Sequence, residues 1–370
     1  MERFRLNLSR REALAAMAAA GSATLLGSNE LFAEETASDP RVAQIVAKTI
    51  AVDMHNHVQI RLTKNPAEAI PDLEIDLAGE MKRSGLSAVC QTYGLDGFGG
   101  VDPGHDETYY METLAFEDRL LHRNHMRRAL NLKDLETAHA QKQPIVIQAV
   151  EGAHFVEGRL DRIEQAYGRG LRHLQILHER DNLTFPLGDV YTAPAHLGGL
   201  TAFGAQVIKE CNRLGIVVDL AHGTGESVLS ALKAATQPLI VSHTCLSTET
   251  DSADMRRRLI SKEVARAVAD AGGVVGLWWR LCTTTKEYVG SVKTMLDAVG
   301  IDHVGIGTDT DLTASYALPY TNRIYPDMNG GFFFAVAAEM LRQGFTPEEI
   351  SKIGGSNFCR VFGEVTAKHA

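Results

Sequence analysis

Gly215-Ile216-Val217-Val218-Asp219-Leu220-Ala221-His222 is the stretch that decides the fold. Ile216-Val217-Val218 is apolar at successive positions, so an extended strand here would be covered on both faces, as in a parallel sheet flanked by helices. Helix-like periodicity precedes it at 200–213 and follows it at 225–235, which makes it the centre of a repeating unit. Working outward, extended runs recur at 49–54, 87–92, 144–150, 171–177, 215–221, 238–242, 273–278 and 303–308. Helix-like segments fall between and after them at 74–84, 109–140, 158–169, 200–213, 225–235, 261–271, 287–299, 330–343 and 347–363. Repeated β-α units predict a parallel sheet, and eight of them predict closure into a (β/α)8 TIM barrel of the α/β class. The last helix has a clear start in Thr346-Pro347-Glu348-Glu349, with a capping Thr, Pro at the first position and acids in the first turn. The longest irregular pieces, 94–106 and 312–329, are rich in Gly and Pro and are candidates to line a site.

At 370 residues and 45% hydrophobic content, the chain supplies one barrel-sized domain, read as 34–370, without need of a second. A net charge of −9 argues against a nucleic-acid surface, which selects clustered Lys and Arg. Arg256-Arg257-Arg258 is the one dense basic run. Five cysteines at 90, 211, 245, 282 and 359 form no C-x-x-C and read as buried thiols. At the N-terminus, Ser9-Arg10-Arg11 precedes a weakly apolar Ala- and Gly-rich stretch from Ala13 to Gly27 and then Leu31-Phe32-Ala33. That pattern predicts a twin-arginine signal peptide over 1–33, cleavage after Ala33 and a periplasmic protein. The stretch is too short and too weakly apolar to span a bilayer of ~30 Å, and no other window reaches the length required.

Polar residues gather at one end of the predicted strands. His55 and His57 follow strand 1, Glu151 strand 3, His178 strand 4, His222 strand 5, His243 strand 6 and Asp309 strand 8. In a barrel those ends converge on one mouth, so residues distant in sequence become neighbours there. His-x-His on a strand presents both imidazoles on one side, because side chains alternate with period two. Imidazole and carboxylate donors suit zinc, with iron or manganese also compatible. The expected arrangement has His55, His57 and Glu151 on one ion, and Glu151 shared with a second ion held by His222 and His243. Asp309 completes the metal-facing set. His173 and His303 lie early in strands and are read as structural.

These residues sit in segments that resemble the renal, or membrane, dipeptidase family of zinc metallopeptidases, within the amidohydrolase-like barrels. The segments are Val52-Asp53-Met54-His55-Asn56-His57, Val150-Glu151-Gly152-Ala153-His154, Leu174-Gln175-Ile176-Leu177-His178, Gly198-Gly199-Leu200-Thr201-Ala202-Phe203-Gly204, Asn212 through His222, Val241-Ser242-His243-Thr244, Gly305-Ile306-Gly307-Thr308-Asp309-Thr310-Asp311 and Gly355-Ser356-Asn357-Phe358-Cys359-Arg360-Val361-Phe362. The resemblance runs from about Ile50 to Val365. It implies a dipeptidase with two zinc ions per chain that hydrolyses a peptide bond with metal-activated water. It further implies that His178 steadies the carbonyl oxygen as it becomes an oxyanion, and that Asp309 carries the proton from water to the leaving amine. Arg258 is the match to the arginine that grips the substrate carboxylate, with Arg257 as the neighbouring alternative. The family also implies a homodimer.

Two positions depart from the family pattern: His57 stands where it has Asp, and Leu312 where it has Gly. The His57 departure keeps other substrates of the same scaffold open, namely N-acyl amino acids, lactones and β-lactams. A periplasmic metal- or peptide-binding protein without catalysis is the reading from another class. No Gly-x-Ser-x-Gly elbow supports a serine hydrolase.

Overall fold

The computed structural model describes residues 39–57, 75–94, 104–179, 184–312, 319–328 and 330–367. The twin-arginine segment and its cleavage point after Ala33 lie outside them, as do residues 95–103 of the first long irregular stretch and 313–318 and 329 of the second. Eight parallel strands close into a ring: β1 (Val52–His57), β2 (Ala88–Gly94), β3 (Ile145–Glu151), β4 (Leu171–Gln175), β5 (Val217–Asp219), β6 (Ile240–Thr244), β7 (Val274–Leu277) and β8 (Val304–Ile306). Closure comes from β1, which pairs with β2 at Val52↔Ala88 and with β8 at Asp53↔Ile306. A two-residue strand, β9 (Thr310–Asp311), extends the β8 side and pairs with the end of β1. This is the (β/α)8 barrel that the alternating sequence predicts.

Strand alternation sorts the side chains into two apolar layers. Val52, Met54, Ala88, Cys90, Ile147, Ala149, Val217, Ile240 and Val274 fill the barrel. The last helix, α13 (Asn357–Thr366), packs Phe358, Val361 and Phe362 into the same cluster and so plugs the end opposite the strand C-termini. Outside the ring, Val218, Leu220 and Val241 share a second cluster with Val207, Ile208 and Cys211 of α6 (Ala202–Leu214) and Val228 of α7 (Gly225–Ala234). The ring is tight where β6, β7 and β8 meet. A Cβ at Gly276 or Gly307 would lie 1.8 or 1.7 Å from the Ser242 carbonyl oxygen, so only glycine permits that approach.

The remaining helices are α1 (Pro40–Lys48), α2 (Leu77–Ser84), α3 (His105–Arg123), α4 (Leu132–Ala140), α5 (Asp161–Gly168), α8 (Ala253–Arg258), α9 (Lys262–Asp270), α10 (Thr285–Val299), α11 (Phe332–Arg342) and α12 (Pro347–Ser351). The segment expected as one helix over 109–140 is two. Left-handed backbone at His125 (φ 53°) stops α3, the chain then pairs Arg128 with Val146 of β3, and the Asn131 side chain caps α4. The helix expected at 347–363 is likewise divided, by a wide turn at Lys352–Ser356. Its predicted start holds, since Thr346 and Glu349 form a reciprocal capping box. α1 and α8 are absent from the sequence-based assignment.

All five cysteines are buried free thiols, as their spacing predicts. His173 and His303 are structural. Nε2 of His173 meets Oδ2 of Asp219 at 3.0 Å inside the barrel, and Nδ1 of His303 donates to the Gly273 carbonyl at 2.8 Å. Among the described residues, no helix is long and apolar enough to cross a membrane.

Candidate metal centre

The strand ends bring the seven predicted residues together. His55 and His57 occupy the final turns of the β1 pleat, and their Nε2 atoms lie 3.2 Å apart. Glu151 ends β3, and its Oε1 lies 3.5 Å from Nε2 of His55, 3.3 Å from those of His178 and His222, and 3.9 Å from that of His243. The His222 and His243 Nε2 atoms are 2.8 Å apart. Asp309 closes the circle, with Oδ1 3.1 Å from Nε2 of His57 and 3.8 Å from that of His55. Three groups of donor atoms each fall within a span of 4.8 Å: His55, Glu151 and His243; His55, His57 and Asp309; Glu151, His178 and His222. Gly94, at the end of β2, leaves room beside Glu151 and His178, since a Cβ there would already touch both.

The imidazoles are aimed from behind. Nδ1 of His57 lies 3.1 Å from the Thr92 carbonyl and so donates to it, which turns Nε2 toward the cluster, where it lies 3.1 Å from Asp309 Oδ1. Ser242 Oγ lies 2.9 Å from Nδ1 of His243 and 3.4 Å from Nδ1 of His55, steadying two rings at once. The Gln175 amide donates to Glu151 Oε1 at 3.3 Å and to the Leu177 carbonyl at 2.7 Å. Beneath the cluster, the buried Asp53 carboxylate accepts from Thr308 N at 2.8 Å, Thr308 Oγ1 at 2.5 Å and Asn56 Nδ2 at 2.8 Å, tying the end of β1 to the loop that carries Asp309. Two site residues adopt left-handed backbone, His222 at φ 68° and Asp309 at φ 55°. Such conformations cost about 1–3 kcal/mol and persist where surrounding structure fixes them.

The electrostatics suit a cation. Burial would raise the Glu151 carboxyl, but the facing His178 and His55, the latter also through a hydrogen bond, hold it well below the usual carboxylate range. Burial, reinforced by the Arg258 charge, pushes His222 well below the ordinary histidine value, and burial with the His55 and Arg258 charges does the same to His243. Both rings are therefore neutral, the form that ligates. At His57, burial is overridden by the Asp309 hydrogen bond and the charges of Glu151, Asp309 and Asp311, which raise it to about 9. Imidazole nitrogens and carboxylate oxygens facing one another within 4.8 Å in a largely buried cluster are donors that fit divalent metal ions.

Arg258 ends α8 and is buried, whereas Arg257 lies at the surface paired with Asp254 at 2.6 Å. Arg258 donates through Nη1 to the His243 carbonyl at 3.3 Å, and its Nη2 lies 3.3 Å from Nε2 of His222. Its guanidinium carbon is 4.3 Å from the Trp278 ring centre and 5.4 Å from that of Tyr191. Sequence reasoning missed Gln175, Ser242, Tyr191, Trp278 and Trp279. One signal was available: the chain has only two tryptophans, adjacent at the end of β7, where no polar site residue had been expected.

The family profile described as membrane dipeptidase (peptidase family M19) matches residues 40–370. Solved structures share the fold at low identity. An amidohydrolase from Pseudomonas aeruginosa is 21% identical with a TM-score of 0.72, over 88% of this chain and 99% of the other. A metallopeptidase from Rhodobacter sphaeroides, solved with a phosphinate mimic of the dipeptide L-Ala-D-Ala, is 21% identical with a TM-score of 0.67, over 86% of this chain and 100% of the other. A structure described as dipeptidase AC is 20% identical with a TM-score of 0.69, over 85% and 98%.

Proposed function

We propose, from the premise that the chain belongs to the membrane dipeptidase family of metallopeptidases, a division of labour at the barrel mouth for hydrolysing the peptide bond of dipeptides. The observation that carries it is the convergence of five imidazoles and two carboxylates beside a buried guanidinium. His55, His57 and Glu151 would hold one divalent ion, and Glu151 with His222 and His243 would hold a second, with zinc the first choice. When bound, such a pair lowers the pKa of water from 15.7 towards ~7 and polarises the scissile carbonyl. Asp309 Oδ1 faces the ligand cluster, accepts the proton of the attacking water and returns it to the leaving amine. His178 donates from Nε2 to the carbonyl oxygen as it gains charge. The Arg258 guanidinium, held between Tyr191 and Trp278, pairs with the free carboxylate of the substrate. A relative solved with a dipeptide mimic supports that substrate class.

The test is metal content per chain of the purified protein, measured beside hydrolysis of dipeptides, N-acyl amino acids and lactones with and without chelator. Two zinc ions and chelator-sensitive dipeptide cleavage are the expected result. One ion or none, with cleavage confined to other amides or esters, would overturn the dipeptide assignment. The Ser9-Arg10-Arg11 motif supports export to the periplasm by the twin-arginine route, checked by fractionating cells that express Arg10→Lys/Arg11→Lys against the parent. A homodimer belongs to the same reading and is checked by sedimentation.

A further inference from the structure

We infer that Trp278 is a positioning residue that sets the carboxylate of Asp309 in its working orientation. A carboxylate has two oxygens, and here each has a different neighbour. Oδ1 faces Nε2 of His57 at 3.1 Å, while Oδ2 accepts the indole N–H of Trp278 at 2.9 Å. An indole N–H can only donate and keeps its proton throughout the working pH range, so it fixes the rotamer without competing for the transferred proton. The rest of the residue is held as firmly. Asp309 N donates to the His55 carbonyl at 2.9 Å, and its own carbonyl accepts from Nε1 of Trp279 at 3.3 Å.

Trp278 is itself fixed in place. It is buried, its N–H donates to the Thr244 carbonyl at 3.0 Å, and its carbonyl accepts from the Cys245 thiol at 3.3 Å. The indole edge therefore serves Asp309, while the indole face carries the Arg258 guanidinium 4.3 Å away. One side chain spaces the proton carrier from the group that grips the substrate. Neither contact follows from the sequence of metal-ligand types, and both come from the residue just after β7, a strand end that supplies none of the proposed ligands.

The inference rests on the dipeptidase reading, which the parent's own rate tests; the ratio of variant to parent tests Trp278. Trp278→Phe keeps an aromatic face under Arg258 and removes the N–H. Turnover is expected to fall by a factor on the order of 10, the worth of a hydrogen bond to a charged acceptor, with KM within about twofold. Bound zinc per chain stays at the parental value. The decisive readout is the double variant Trp278→Phe/Asp309→Asn. If Trp278 acts through Asp309, removing its N–H costs less than about twofold once the carboxylate is gone, because the two residues form one unit. Parental turnover in Trp278→Phe, loss of bound zinc in that variant, or a full repeat of its loss in the Asp309→Asn background would each overturn the assignment.

Discussion

Replacing Asp309, the proton carrier we propose, by Asn separates the charge at that position from its place in the fold. Asn is among the few residues that tolerate left-handed backbone, so the φ of 55° at this position carries little added cost. Its amide oxygen can still accept from the Trp278 indole, and the other donors around His55, His57 and Glu151 remain. What is lost is the group that takes a proton. General-base catalysis is worth roughly 10² to 10⁴ in rate, so turnover should fall by that factor, an added barrier of about 3–5 kcal/mol. The assay is initial rates across dipeptide concentration, with bound metal and thermal melting measured on the same preparation. KM and metal content should stay near the parent. Asp309→Ala is the contrast: at the same backbone angle Ala costs about 1–2 kcal/mol, so that variant should also melt lower. Turnover of Asp309→Asn within about threefold of the parent, with metal retained, would refute Asp309 as the proton carrier.

Arg258→Ala should raise KM for dipeptides by roughly 10- to 100-fold, the worth of a charge-assisted pair, while a dipeptide with an amidated C-terminus should be nearly indifferent. Equal effects on both substrates would remove Arg258 from carboxylate recognition. Away from the site, burial raises the Glu117 carboxyl to about 7 despite Arg128 Nη2 at 3.1 Å. The folded state then binds more protons than the unfolded state between pH ~4.5 and ~7, so this group's contribution to stability is greatest below that window and is lost as pH rises through it. Glu117→Gln, which does not titrate, should gain on the parent by on the order of 3 kcal/mol across the window, read as a melting-temperature gap that widens with pH. A gap that stays constant would show that Glu117 does not titrate there.

The strands and the residues gathered at the mouth were legible because one physical rule serves both: apolar runs make the ring, and its closure forces their C-terminal polar residues together. His55, Glu151, His222 and His243 could be read in that way with no knowledge of geometry. The break between α3 and α4 could not, because the 124–131 segment is held by pairing with β3, a contact distant in sequence. Nor could the choice between Arg257 and Arg258, which depends on the phase of a six-residue helix. The supporting shell was hidden for a different reason. Gln175 and Ser242 act through hydrogen bonds whose partners are named only once strands are neighbours, and Trp278 reads from sequence as one more core aromatic.

The closing contact of the ring has a temporal side. The Asp309 amide bonds to the His55 carbonyl, and Asp53 holds Thr308, across some 250 positions of chain. A ribosome that has made β1 through β7 has released all five imidazoles of the cluster and Glu151 but neither Asp309 nor the strand that seals the sheet. The nascent barrel at that moment carries two open strand edges and an incomplete cradle. Completion of the residue cluster at the mouth and protection from edge-to-edge association thus arrive in the same late event, when β8 docks. Truncation before residue 304 should leave a chain that aggregates rather than one that is merely inactive.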